Sequence, residues 1–319
     1  MDHRHKLRDH PPSRPRATQG RQTPTEETHM ELGIIGLGIM GSAIARNCVR
    51  AGFSVTGFDT DPARCRELEA AGGTPRASAA AIAAAADVVL TSLPSIAALD
   101  QTAAALAATA RPGQIVCELS TLPIEVKQRA HDVLAKAGIV LLDCPLSGTG
   151  AQAVNADLVV LASGDTAACE KVQTVFAGFA RLTRYVGRFG NGMKMKIVAN
   201  LLVAIHNVAS AEAMVLGMKA GLDPQAIVDV VSSGAGNSRV FELRAPLMAA
   251  QTYEPPTMKC DIWQKDMAII GAYAASLGVA APLFAASAPL YNAAIGQGRG
   301  GQDTAAVCAI LEQMAGLAR

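Results

Sequence analysis

The sequence holds no C-x-x-C pair, no cluster of basic residues in its body, no uninterrupted apolar run of membrane-spanning length and no internal repeat. Each absence removes a class of function. The seven cysteines, Cys48, Cys65, Cys117, Cys144, Cys169, Cys260 and Cys308, are scattered and odd in number. In a chain this long that reads as reduced, mostly buried thiols of a cytoplasmic protein, with neither a disulfide framework nor a metal site. A formal net charge of +1 with no polybasic stretch speaks against nucleic acid or an anionic membrane as partner. The Ala-rich run that begins at Ala77 is closed by Asp87, well short of a membrane span. What remains is a small-molecule site in a chain of 319 residues, 50% of them apolar, enough for a large core divided between two domains.

Residues 1–29 are polar, rich in Arg, His and Pro, and lack apolar periodicity, so they are expected to be disordered. They have no apolar centre of a secretory signal, and Pro11, Pro12, Pro15, Pro24, Asp2, Asp9, Glu26 and Glu27 argue against an amphipathic presequence. Met30 directly precedes the first strand, so an over-long start assignment would account for the tail.

From Glu31 the pattern changes. Leu32-Gly33-Ile34-Ile35 reads as a strand, Gly36-Leu37-Gly38-Ile39-Met40-Gly41 follows it, and a helix opens directly after. Gly36 permits a tight turn, Gly38 lets a pyrophosphate approach the backbone, and Gly41 lets helix and strand pack closely. The helix N-terminus then offers unpaired amides to the phosphates. A second strand, residues 54–58, ends at Asp59, where a carboxylate can bond both hydroxyls of an adenosine ribose and repel a 2′-phosphate. Thr60 follows, in place of the Arg that a phosphate binder would carry. NAD is therefore favoured; NADP is possible, and Arg64 is the residue that could reverse the preference. The alternative for Asp59 is a turn residue ahead of Asp61-Pro62.

Apolar runs at 87–93, 114–119, 138–142, 158–162 and 182–186 alternate with helical stretches. They predict a mainly parallel, doubly wound sheet whose ligand crevice lies beyond the carboxyl ends of the strands. At those ends stand Leu93-Pro94-Ser95, Ser120-Thr121-Leu122-Pro123 and the loop 143–150. In that loop Ser147, Gly148 and Thr149 supply hydroxyls and amides that can surround a carboxylate, although a plain strand-to-helix turn would use the same residues. The pivotal stretch is 190–200: Gly190 and Gly192 break the backbone, an apolar helix over 193–220 follows, and Lys196 and Asn200 share one face of it. An apolar wall lowers a lysine's pKa towards neutrality, which makes Lys196 a candidate general acid/base; a lysine directed to solvent is the alternative. The helix is apolar on several faces and calls for burial, in part by a second subunit. Lys265-Asp266, taken alone, reads as a solvated pair at a helix start.

Together these stretches resemble the β-hydroxyacid dehydrogenase family from about residue 31 to the C-terminus. Four motifs follow the family's order: Gly36 to Gly41, Asp143 to Gly150, Gly190 to Asn200, and Lys265-Asp266. The resemblance implies an α/β Rossmann domain over 30–192 with a mainly parallel doubly wound sheet. An all-helical domain over 193–319 would follow it, with the long helix building a homodimer or homotetramer. It implies that Lys196 is the catalytic lysine, that Asn200 binds substrate beside it, and that Ser147-Gly148 hold a substrate carboxylate. Thr149 takes the third loop position, where glycine is usual. Thr121 and Lys265 match positions that touch cofactor or close over the site, and Leu93-Pro94 match the dipeptide beside the cofactor. The implied activity is hydride transfer between a nicotinamide and a small 3-hydroxy acid or its semialdehyde. Val203 replaces the glutamate of the related phosphogluconate dehydrogenases and disfavours decarboxylation, and Lys196 disfavours the imine reductases. Two other readings stand beside this one: a dinucleotide-binding scaffold or sensor without turnover, and an imine or carbonyl reductase for a substrate without a carboxylate.

Overall fold

Short runs rich in Ile, Leu and Val alternate with helix starts at Asp61, Ser78 and Ser95, each of whose side chains accepts a first-turn backbone amide. The structure is a computed structural model that describes residues 30–319, so the disorder expected of residues 1–29 lies outside the described residues. The first part of the chain runs β1 (Glu31–Ile35), α1 (Ile39–Arg50), β2 (Ser54–Phe58), α2 (Pro62–Ala70), β3 (Thr74–Pro75), α3 (Ala79–Ala85), β4 (Val88–Thr91), α4 (Ile96–Thr109), β5 (Ile115–Glu118), α5 (Ile124–Lys136) and β6 (Val140–Asp143). These six strands form one parallel sheet in the order β3-β2-β1-β4-β5-β6. Alternate strand residues bury on opposite faces. Leu32, Ile34, Leu90 and Cys117 pack under α1, while Ile35, Val89, Val116 and Leu141 pack under α3, α4 and α5. Helices on both faces give the doubly wound architecture, with every strand's carboxyl end on one edge.

The chain then continues as β7 (Leu146–Ser147), α6 (Gly150–Val154), β8 (Val159–Ala162), α7 (Thr166–Lys171), α8 (Gln173–Phe179) and β9 (Leu182–Tyr185). The last two runs do not extend the main sheet, as the sequence pattern suggested. They form a separate sheet, β7-β8-β9, with β7 antiparallel to β8, joined to the first by a bridge between Asp143 and Ser163. β7 follows β6 directly, and the short connection through α6 brings β8 back antiparallel beside β7 rather than across to the main sheet.

The remainder is helical: α9 (Asn191–Lys219), α10 (Pro224–Ser232), α11 (Arg239–Ala250), α12 (Cys260–Ser276), α13 (Pro282–Gly296) and, after a turn at Thr304–Ala306, α14 (Val307–Met314). Along α9, Met193, Ile197, Ala204, Val208, Ala211, Met214, Val215 and Met218 recur at helical spacing and bury against the helices that follow. By length and composition α9 is apolar enough to cross a membrane. Its centre nevertheless carries buried Lys196, Asn200 and Asn207, and five helices pack round it, which is the pattern of a core helix.

Candidate active site

The glycine loop leaves β1 at Gly36, whose φ is +89° and where a Cβ would lie 2.2 Å from the Ser92 carbonyl oxygen. Both facts require glycine. A Cβ on Gly41 would lie 1.9 Å from the Gly36 carbonyl oxygen, so α1 can approach the loop only without one. Gly38 differs, because nothing lies within 4 Å of the place its Cβ would take. That open space faces the start of α1, which has no side-chain cap and no acid in its first turn, whereas α2, α3 and α4 are capped by their own side chains. An uncapped helix start beside reserved space fits an anion, and the pyrophosphate of a dinucleotide fits it here.

Asp59 closes the loop from the end of β2. The Leu37 amide donates to its Oδ2 at 2.6 Å and the Asp61 amide to its Oδ1 at 2.9 Å. Leu37 turns its side chain into the core, Met40 is half-buried, and Ile39 is exposed beside the loop. Arg64 is engaged elsewhere, at 3.1 Å from Glu67 and 4.0 Å from Asp61. Beyond β4 the Leu93 amide donates to Ser120 Oγ at 2.8 Å, which ties the Leu93-Pro94 dipeptide to the Ser120-Thr121 turn beyond β5.

The loop after β6 reaches the same edge. Ser147 is half-buried, and Gly148 has φ +140° with no room for a Cβ, which would lie 2.6 Å from Leu158 Cδ2. Thr149 has a task the sequence reading did not foresee: it caps α6, its hydroxyl accepting from the Gln152 amide while its own amide donates to Gln152 Oε1 at 3.0 Å. A Cβ on Gly150 would lie 2.9 Å from Ile39 Cγ2, so this loop and the glycine loop touch. Asn47 of α1 strengthens that contact by donating to the Ala153 carbonyl at 2.6 Å.

Lys196 sits one turn into α9 and is only 8% exposed. Asn200 lies on the same face, and its Nδ2 donates to Asp266 Oδ2 at 3.1 Å, leaving the second Nδ2 hydrogen of Asn200 for a ligand. Asp266 is buried; its Oδ1 accepts no hydrogen bond among the described residues, and the Lys265 ammonium stands 3.9 Å away. Burial pulls the Lys196 pKa below the ordinary lysine value, the nearby Lys265 adds to that, and Asp266 opposes it without reversing it. Burial likewise raises the Asp266 carboxyl against the pull of Lys265 and Lys196. The structure thus brings Lys196, Asn200 and Lys265 together and adds Asp266. The sequence motif contained Asp266, but its burial arises only when α12 packs on α9.

A second lysine, missed in the sequence, makes the comparison instructive. Lys127 on α5 is fully buried, with its ammonium 2.6 Å from Glu118 Oε2 and 2.7 Å from Asp143 Oδ1. Burial alone would lower its pKa, but the Asp143 and Glu118 carboxylates more than reverse that and hold it above the lysine range. Lys127 is locked as a cation. Lys196, also buried but with no carboxylate in contact among the described residues, has its proton affinity lowered instead.

Residues 31–187 match the family described as the NAD binding domain of 6-phosphogluconate dehydrogenase, and residues 190–311 match that described as the NAD-binding of NADP-dependent 3-hydroxyisobutyrate dehydrogenase. The chain is 36% identical to L-threonate dehydrogenase of Cupriavidus necator, over 88% of this chain and 95% of that one. It is 30% identical to glyoxylate/succinic semialdehyde reductase 2, chloroplastic, of Arabidopsis thaliana, over 91% and 83%. Its fold is similar to a Mycobacterium tuberculosis 3-hydroxyisobutyrate dehydrogenase solved with L-serine, with TM-score 0.82 and 28% identity, covering 89% of this chain and 99% of the other.

Proposed function

The chain belongs to the β-hydroxyacid dehydrogenase family and is an NAD(P)-dependent oxidoreductase of small hydroxy acids; on that premise we propose that Lys196 is its general acid/base and NAD its preferred cofactor. The observation that carries this reading is the state of Lys196: buried, without a contacting carboxylate, with lowered proton affinity, and on the helix face it shares with Asn200. The substrate is a small 3-hydroxy acid or its semialdehyde.

The Gly36–Gly41 loop and Asp59 would hold the dinucleotide, with Leu93, Pro94, Thr121 and Lys265 at its reactive end. When bound, the nicotinamide supplies the hydride acceptor or donor. Ser147 and the Gly148 amide receive the substrate carboxylate, while Thr149 keeps the loop in shape through its cap. Asn200 donates the second hydrogen of its Nδ2 to the substrate hydroxyl oxygen and orients it, the first being held by Asp266. Neutral Lys196 takes the hydroxyl proton during oxidation, and its ammonium returns a proton to the nascent alkoxide during reduction. Such positioned transfer contributes roughly 100- to 10,000-fold. Asp59 with Thr60 beside it favours a ribose with free hydroxyls, and Arg64, paired with Glu67, is not directed to a 2′-phosphate.

In this reading residues 30–192 carry the cofactor and 193–319 complete the substrate site and the subunit contacts. Met195, Val198, Leu202 and Leu216 leave an exposed apolar stripe on α9, which a homodimer or homotetramer would cover. All seven cysteines are free and six are buried, which suits a reducing cytoplasm.

Reduced-nicotinamide absorbance tests the assignment, with NAD or NADP offered alongside L-threonate, 3-hydroxyisobutyrate, L-serine and glycerate. The expected result is turnover of at least one of these acids, faster with NAD, and lost in Lys196→Ala while cofactor binding stays intact. Undiminished turnover in Lys196→Ala would refute the acid/base role, and a preference for NADP would refute the cofactor assignment. Cofactor binding with no turnover of any acid would point to the sensor reading.

A further inference from the structure

The helix that carries Lys196 has no cap of its own. Its first residue follows Gly190, at φ +87°, and none of its neighbours in sequence supplies a side-chain acceptor. The capping groups come from far along the chain instead. The Met193 amide donates to Asp143 Oδ2 at 2.8 Å, and the Gly192 amide to Ser163 Oγ at 2.9 Å. The Ser163 hydroxyl in turn donates to Asp143, at 3.0 Å to its carbonyl oxygen and 3.2 Å to Oδ2. A local cap only starts a helix, whereas a remote cap also fixes where in space it starts.

Asp143 is itself held by Lys127, and Lys127 by Glu118, all three fully buried. Glu118 Oε1 accepts the Ser120 amide at 2.9 Å, and Ser120 Oγ accepts the Leu93 amide. One continuous path therefore runs from the Leu93-Pro94 dipeptide through Ser120, Glu118, Lys127 and Asp143 to the first turn of α9, with Lys196 one turn beyond. Two carboxylates face one ammonium, and the excess negative charge lies against the amide-rich start of α9, where the helix dipole favours it. A buried ion pair is poor evidence of stability, since well-packed apolar residues commonly serve as well. Its position beside the start of α9 suits another role.

We propose that Lys127 is a positioning residue: with Glu118 and Asp143 it sets the placement of α9 against the strand ends, and so places the Lys196 amine relative to the substrate hydroxyl. This rests on the acid/base role of Lys196. The Gly36–Gly41 loop and Asp59 lie outside the path, which reaches the cofactor site only at Leu93-Pro94, so its output is kcat more than cofactor affinity.

The test is Lys127→Met in the full-length enzyme, assayed below its melting temperature, with the isotope effect on kcat measured on substrate deuterated at the carbinol carbon. The expected result is a fall in kcat of about 10- to 100-fold, the scale of a misplaced reacting group. NAD affinity should stay within about three-fold of wild type, and the isotope effect should grow as the chemical step becomes limiting. Ser163→Ala deletes one oxygen and keeps all three charges, so it provides a variant that folds; its kcat should fall by about three- to ten-fold with the same growth in isotope effect. If folded Lys127→Met and Ser163→Ala both keep the wild-type kcat and isotope effect, while Lys196→Ala is inactive, the positioning role is refuted and the acid/base role stands. Full activity in Lys196→Ala would instead remove the premise.

Discussion

At the scale of the residue, the two buried lysines show how the same burial yields opposite chemistry. Lys127 meets two carboxylates, which hold its pKa up, while Lys196 has none in contact among the described residues and its pKa is lowered. By linkage, a lysine whose pKa is lower folded than unfolded burdens the native state at neutral pH. The burden is absent above the ordinary lysine pKa and grows as pH falls towards the folded value. Lys196→Met should therefore raise the melting temperature at pH 7 while abolishing turnover, a combination that calorimetry and a steady-state assay would detect together. The neighbours tune the same group with opposite signs. Asp266 raises the Lys196 pKa, so Asp266→Asn should move the acidic limb of the kcat/KM profile for oxidation, where the base becomes protonated, to lower pH; Lys265 lowers it, so Lys265→Met should move that limb to higher pH. Lys196 was legible in the sequence because glycines, an apolar helix and Asn200 surround it locally. Asp266 was not, because its burial depends on two helices meeting across a separation of 66 residues.

At the scale of the element, helix starts divide by what completes them. The starts of α2, α3 and α4 are closed by their own side chains, α9 by groups borrowed from the strands, and α1 by no side chain among the described residues. The open start of α1 is where we propose that the dinucleotide pyrophosphate binds, and its glycines can be separated by experiment. Gly38→Ala meets open space, so its melting temperature should match wild type while NAD affinity falls by about ten-fold or more, because the methyl occupies the room kept for the pyrophosphate. Gly41→Ala places a Cβ against the Gly36 carbonyl oxygen, so it should lower the melting temperature as well. Titration by nicotinamide fluorescence and thermal melts would distinguish the two. The glycine loop could be read from sequence because its residues are consecutive and each answers a local demand. The division into two sheets could not, since the runs in β8 and β9 look like those in the main sheet. Only the insertion of β7, with which β8 pairs antiparallel, sets them apart.

At the scale of the whole molecule, α9 joins everything the reaction needs. Its first turn is anchored to the carboxyl ends of the strands, its second and third carry Lys196 and Asn200, and the rest forms the axis of the helical half. That arrangement leaves one face uncovered. Met195, Val198, Leu202, Ala209 and Leu216 recur at three-, four-, seven- and seven-residue intervals and lie exposed, the seam of a helix that packs against another. The oligomer we propose would bury this seam next to the turn that holds Lys196, so subunit contact and catalysis share a single rod. Leu202→Glu places a charge at the centre of the seam and leaves the buried face untouched. By light scattering after size exclusion it should shift the protein towards monomer. It should also lower kcat more than cofactor affinity, because α9 loses support on the side opposite its core. A Leu202→Glu protein that keeps the wild-type mass would place the subunit interface elsewhere, and the exposed seam would then have no bearing on assembly.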